Sequence, residues 1–246
     1  MMIGKICLSV VCATLFVTSA QAGIPVEEEV ECPIGDQVLT VTSTLSCTSF
    51  GAMMNLTRQS SCDFVTRVPD CTETGLPLYR PFSDAELPKI EAYLASEGFA
   101  ALKETSRFQR AYAIERALYP DGPHANAFYA LVEAYQEDPG MAEDPEMMGF
   151  AKRTAERILE TETPGTDALL AMLSVAAWEA YAGREAQARA WLGTYKAEAP
   201  GIIETLEGDN DTRTADYFSD YAAKLESCLS DLTIEGCRAD DPVQTN

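Results

Sequence analysis

The placement of the cysteines limits the fold more than any other feature of the chain. There are eight. Cys7 and Cys12 lie in an apolar opening stretch, Cys32, Cys47, Cys62 and Cys71 share one short region after it, and Cys228 and Cys237 stand together near the end. The opening stretch reads as a segment made for removal. Lys5 gives it a positive start, residues 6–17 are apolar apart from Ser9 and Thr14, and Ala20-Gln21-Ala22 is a small-x-small cleavage site. These are the three parts of a secretory signal peptide, with cleavage expected after Ala22. The apolar run is well short of the ~20 residues that span a bilayer. No later stretch is longer, so a soluble periplasmic or secreted protein is expected, with no membrane partner after signal cleavage.

An exported chain folds where thiols oxidise, so the cysteines left after Cys7 and Cys12 are expected to form disulfides. Six cysteines allow fifteen pairings, and sequence alone does not choose among them. Spacing favours Cys228 with Cys237, and a nested arrangement in front, with Cys32–Cys71 outside Cys47–Cys62. Zinc is the rival use of the front four. A structural zinc site takes its ligands in pairs about two to four residues apart, so that one turn presents two sulfurs. No two of these cysteines are that close, and the sole histidine, His124, lies far downstream. Neither a metal nor a cofactor is expected.

Asp and Glu number 39 against 18 Lys and Arg, for a formal charge of −21. Nucleic-acid binding needs clustered cations to replace counterions on phosphates. None cluster here, so nucleic acid is excluded as a partner, as is an anionic membrane surface. The acidity reads as a solvated exterior.

Along the chain the pattern divides into residues 1–22 (signal), 23–81 (a small β module) and 82–246 (a helical, solenoid-like domain). Residues 23–30, with Glu27, Glu28 and Glu29, show no periodicity and read as a loose leader. Residues 37–46 are β-branched with Leu39, Val41 and Leu45 on one face, which predicts a strand. A turn is expected over 48–55, a second strand over 56–68, turn chemistry at 70–75 and a short strand at 76–79. So thin a unit buries little core, and staples matter most there.

From Phe82 the period changes to that of helices. Ser83 and Glu86 form a capping box, with Ile90, Tyr93 and Leu94 following at helical spacing. Helices are predicted over 98–103, 106–118, 123–136, 145–159 (Asp144 capping, Pro145 at the first position), 166–182, 184–198 and 212–232. Phe128, Leu131 and Tyr135 share a core face, as do Met148, Ala151, Ala155 and Leu159. Pro200-Gly201 is expected to end the helix that Gly183 begins. The fold class is therefore mainly α: a disulfide-stapled β module followed by antiparallel helical hairpins. Residues 169–202 resemble the thirty-four-residue tetratricopeptide pattern, with Val175, Ala176, Ala188, Leu192 and Pro200 in place. Glu179 and Tyr195 depart from it, so the likeness is degenerate.

The layout from Cys32 to Leu232 resembles an uncharacterised bacterial family that joins a zinc-ribbon-like β module to tetratricopeptide-like helices. Its module opens with Cys-Pro-x-Cys-Gly and closes with a second Cys-x-x-Cys. Cys32-Pro33-Ile34-Gly35-Asp36 and Cys71-Thr72-Glu73-Thr74-Gly75 occupy those places, with Gly35 and Thr74 where the second cysteines would stand. The resemblance implies that Cys32 and Cys71 lie close in space, a disulfide replacing the metal. It implies no activity.

Catalytic sets are missing from the sequence. There is no Gly-x-Ser-x-Gly elbow and no glycine-rich phosphate loop. His124, after Pro120-Asp121-Gly122-Pro123, reads as decorating an exposed helix start. Asp209-Asn210-Asp211 begins like a calcium loop but has Thr214 and Asp220 where glycine and glutamate are required. Trp178, Tyr181, Trp191 and Tyr195 fall on two adjacent helices. Their ordinary use is packing within one hairpin; the sharper reading is that part of the group lines a concave peptide groove. The expected function is that of an exported, non-enzymatic protein that binds a protein or peptide on a helical-repeat surface. The alternative is an exported hydrolase using acidic residues on the concave face.

Overall fold

Alternation, not composition, organises the front of the chain. In the computed structural model, which describes residues 23–243 except 164, 209 and 210, strand β1 (Pro25–Glu31) pairs antiparallel with β2 (Val38–Thr44). The expected leader at 1–22 lies outside the described residues. The loose leader expected over 23–30 is corrected to a strand. Val26 and Val30 are half-buried two pleats apart while Glu27, Glu28 and Glu29 stay in solvent, so the run of acids hides the period of two. The strand expected over 37–46 forms as β2, although Leu45, just past its end, is 74% exposed.

The turn expected over 48–55 is corrected next. Its first half is β3 (Ser49–Ala52), paired with β4 (Arg58–Ser60) through an irregularity at Gly51, whose φ of 102° glycine adopts without strain. The reversal lies at 53–57, where Met53 N–H bonds Thr57 O at 2.8 Å. The second strand stops after three residues, because the Ser60 hydroxyl bonds the Asp63 carboxylate and accepts from Cys62 N–H. A last hairpin joins β5 (Asp70–Cys71) to β6 (Leu76–Pro77). Among the described residues the disulfides are Cys32–Cys71, Cys47–Cys62 and Cys228–Cys237, with Cα separations of 6.0, 5.6 and 5.3 Å, the nested front arrangement and isolated rear pair that spacing favours.

Among the described residues eight helices follow: α1 (Leu87–Leu94), α2 (Glu97–Ala100), α3 (Arg107–Leu118), α4 (Ala125–Glu137), α5 (Pro145–Thr161), α6 (Thr166–Tyr181), α7 (Glu185–Gly208) and α8 (Thr212–Cys228). A 3-10 turn, Pro139–Glu143, precedes α5. Caps fix several starts. Ser106 and Gln109 form a reciprocal capping box on α3, and the Asp144 carboxylate accepts from Glu146 and Met147 N–H at α5. The Ser83–Glu86 box forms in part. Glu86 accepts from Ser83 N–H at 2.7 Å, but the Ser83 hydroxyl donates to that same carboxylate, and the helix starts only at Leu87.

The end expected at Pro200-Gly201 is corrected, since α7 runs on to Gly208. Proline in a helix interior forfeits one hydrogen bond and costs about 3 kcal/mol. Ala199 and Ile202, buried on either side of it, offset that cost by joining the core.

Consecutive helices from α3 to α8 pack against one another, and α6 touches α4, α5, α7 and α8. That central position matches its sequence: Leu169, Met172, Leu173, Val175 and Trp178 are all buried. The β module has no comparable core of its own. Met54 and Val68 enter the main core, and Cys32, Cys71 and Leu76 join Ile90, Phe99 and Ile114 in a second cluster. After α8 the tail returns to the front. Met54 N–H bonds Asp241 O at 2.8 Å, Val243 N–H bonds Ala52 O at 2.8 Å, and the Tyr221 hydroxyl donates to Met54 O at 2.6 Å.

Candidate functional site

The four aromatics proposed as a groove do not meet in one. Trp178 is 1% exposed and stacks on Tyr135, with ring centroids 4.8 Å apart, and on Phe128 at 5.8 Å. Tyr181 donates its hydroxyl to Cys237 O at 2.8 Å, which ties the tail to α6. Trp191 is half-buried against the core, and Tyr195 faces α8 in a narrow apolar cleft with Ala199, Ile203 and Ala222. Because α6 is surrounded, Trp178 and Tyr181 are packing groups and do not line a groove, whereas Tyr195, on α7, borders a cleft.

His124 is corrected as well: it is 2% exposed, not a surface decoration. The turn at Gly122 folds it beneath the chain, and its N–H bonds the Glu162 carboxylate. Its Nδ1 lies 2.5 Å from a guanidinium nitrogen of Arg116. Arg116 is the donor there, so Nδ1 accepts and the ring is neutral. Burial, and then the charge of Arg116, push the His124 pKa down.

Among the described residues four buried carboxylates are held by cations, Asp241 by Arg238 in the tail and three others in the body. Glu86 takes hydrogen bonds from Arg80, Ser83 and Tyr119, and the Arg80 bonds above all hold it well below the usual carboxylate range. Glu115 accepts from Arg80 Nε at 2.5 Å and from the Tyr79 hydroxyl at 2.7 Å. Glu179, 0% exposed, is bridged by Lys152 at 2.9 Å and by Arg184. Its departure from the tetratricopeptide pattern is thus an ion-pair anchor between α5, α6 and the start of α7. None of these acids lines the cleft between α1, α3 and α5. Among the described residues no three His, Cys, Asp or Glu side chains are grouped to hold a metal. Asp211 caps α8 through Thr214 N–H; the two residues before it lie outside the described residues.

A cleft of about 550 Å³ opens between α1, α3 and α5. Helix α3 gives it Gln109, Tyr112, Ala113, Arg116 and Ala117, one stripe at i, i+3, i+4, i+7 and i+8. Helix α5 gives Glu146, Phe150 and Arg153, again one stripe; Tyr93, Leu102 and Thr105 close the ends. Tyr112 and Phe150 stack at 4.7 Å with an interplanar angle of 24°, forming an aromatic wall. The Arg153 guanidinium lies over the Phe150 ring, 5.3 Å from its centroid.

Charge distinguishes this cleft. Most arginines of the molecule are paired with acids, yet among the described residues neither Arg116 nor Arg153 forms an ion pair. Arg116 is instead held by two neutral acceptors, His124 Nδ1 and, at 3.2 Å, Pro120 O. A guanidinium has five N–H donors, so donors remain free on Arg116. Arg153 gives none to a protein acceptor among the described residues. Sequence reading missed this site because its residues come from three helices. The signal that could have found it is the stripe Gln109, Tyr112, Arg116, which has too few apolar residues for a core face.

Fold and site together define a helical protein with a disulfide-stapled front and a cleft that is aromatic on one wall and cationic at its rim. No family model matches the chain, and neither a curated protein nor a solved structure matches it.

Proposed function

We propose that this is an exported, non-enzymatic binding protein that receives a peptide segment in the cleft between α1, α3 and α5. One observation carries the reading: an aromatic wall, two arginines without acidic partners, one carboxylate (Glu146) and the amide and hydroxyl of Gln109 and Thr105 line the same recess. Ligand sites are largely apolar with a few polar groups that fix orientation, and a peptide offers both donors and acceptors to such a set. The three disulfides fit an oxidising compartment. Among the described residues no helix is long and apolar enough to cross a membrane.

The test is a titration of the isotope-labelled full chain with short peptides, followed by NMR. The expected result is shift changes confined to Tyr93, Tyr112 and Phe150, lost in Tyr112→Ala. Changes spread over α7 and α8 instead would refute the cleft as the seat.

A further inference from the structure

Resting on the peptide-binding reading, we infer that the cleft recognises a free C-terminal carboxylate, held between Arg116 and Arg153, with the last side chain against the Tyr112–Phe150 wall. The first ground is electrostatic. The chain carries 39 acids and 18 basic residues, so an arginine here ordinarily finds a carboxylate. Two that lack one, facing one recess, are a local positive site in a negative field. Arg116 is also positioned: His124 and Pro120 fix two of its nitrogens, and a neutral imidazole orients the guanidinium without cancelling its charge. Arg153 is braced by Phe150. A guanidinium fork matches a carboxylate's two oxygens.

The second ground separates a chain end from other anions. A polyanion is disfavoured by the net charge of −21, and by Glu146 on the cleft wall. A singly charged terminus minimises that repulsion. Phosphate and sulfate have no N–H to offer Glu146, whereas a peptide terminus carries backbone N–H groups beside its carboxylate. About 550 Å³ is the size of a small-ligand pocket. It holds a chain end and not a folded segment, and the aromatic wall selects an apolar or aromatic last residue.

The experiment compares two probes on the oxidised full chain: a mixture of Ala-Ala-Phe, Ala-Ala-Tyr and Ala-Ala-Leu as free acids, and the same tripeptides as C-terminal amides. Affinity is read from NMR shifts at Tyr112 and Phe150. The free acids are expected to bind at least about tenfold more tightly than the amides, a difference of about 1.4 kcal/mol. Arg153→Gln, an exposed position that leaves the fold intact, is expected to abolish that difference, and Arg153→Lys to restore part of it. Equal binding of acid and amide in the cleft overturns the carboxylate inference and leaves the peptide-binding reading standing. Absence of shifts with either probe overturns both. Undiminished acid preference in Arg153→Gln places carboxylate recognition elsewhere and overturns the inference. N-acetyl-phenylalanine is expected to bind more weakly than Ala-Ala-Phe; equal affinity would make the ligand a small aromatic acid and overturn the peptide terminus as its source.

Discussion

The helical body and the β front solve the same problem, keeping apolar side chains from water, in opposite ways. Around α6 the solution is depth: helices on several sides leave Leu169, Met172, Val175 and Trp178 essentially without solvent contact. The front has strands of two to seven residues in three separate two-stranded sheets, and so no face broad enough to close over a core. Ile24, Val38, Leu45, Phe50 and Phe64 stay exposed there. Its buried positions include three half-cystines, Cys32, Cys62 and Cys71. Where layers are too few to bury a core, covalent links restrict the unfolded chain instead, and the front leans on the body through Met54, Val68 and Leu76.

The difference is open to test, beginning where the effect is largest. Trp178→Ala removes the ring between Phe128 and Tyr135 and should cost about 3–5 kcal/mol in urea unfolding of the oxidised protein. A loss under about 1 kcal/mol would mean the body does not depend on depth. Replacing Cys32 and Cys71 with serine opens a link that spans a sequence separation of 39. The chain-entropy model gives about 4 kcal/mol for it, and about 3 kcal/mol for Cys47–Cys62, with its separation of 15. If both double variants unfold at the wild-type urea midpoint, the staples are ornaments and the comparison fails.

Tyr221→Phe tests the seam between the regions. It leaves Met54 O without its 2.6 Å donor in a fully buried setting, at a cost of about 1–2 kcal/mol. A smaller effect comes from pH. The folded-state pKa of His124 lies below the ordinary 6.5, so below that pH the unfolded chain binds a proton that the folded chain refuses. Its contribution is therefore complete above about pH 6.5 and is lost as pH falls toward the folded value. The charged groups around it are Arg116, Glu162, Arg157 and Asp121. His124→Gln should flatten the stability profile below about pH 6.5; an unchanged slope would assign that slope to other groups. Glu86 acts lower. Its pKa is depressed from an ordinary 4.5 chiefly by Arg80, so its support for the seam is full above that pH and disappears with further acid.

What could be read from the sequence was local. Ser106 with Gln109, Asp144 before Pro145, and Gly183 at a φ of 76° each announce a helix boundary by chemistry confined to a few residues. The rear disulfide was legible because Cys228 and Cys237 stand far from the other four, whereas among the front four spacing narrowed the choice without making it. Long-range effects were not. Four glutamates conceal the two valines that make β1 a strand, and Pro200 punctuates the sequence but not the helix, because burial on both sides overrides it. His124 looks exposed in its Pro- and Gly-rich setting and is buried by its contact with α5's final turns. The cleft was invisible for the same reason: Tyr93, Arg116 and Arg153 are neighbours only after three helices have packed.

The returning tail fixes the order in which the molecule can be finished. A polypeptide is made from its amino end, yet Met54 and Asn55 find their main-chain partners in Asp241 and Ala239. While a nascent chain is being extended, the turn between β3 and β4 therefore lacks acceptors that have not yet been synthesised. The turn at 53–55 is native only once residues 239–241 have been added.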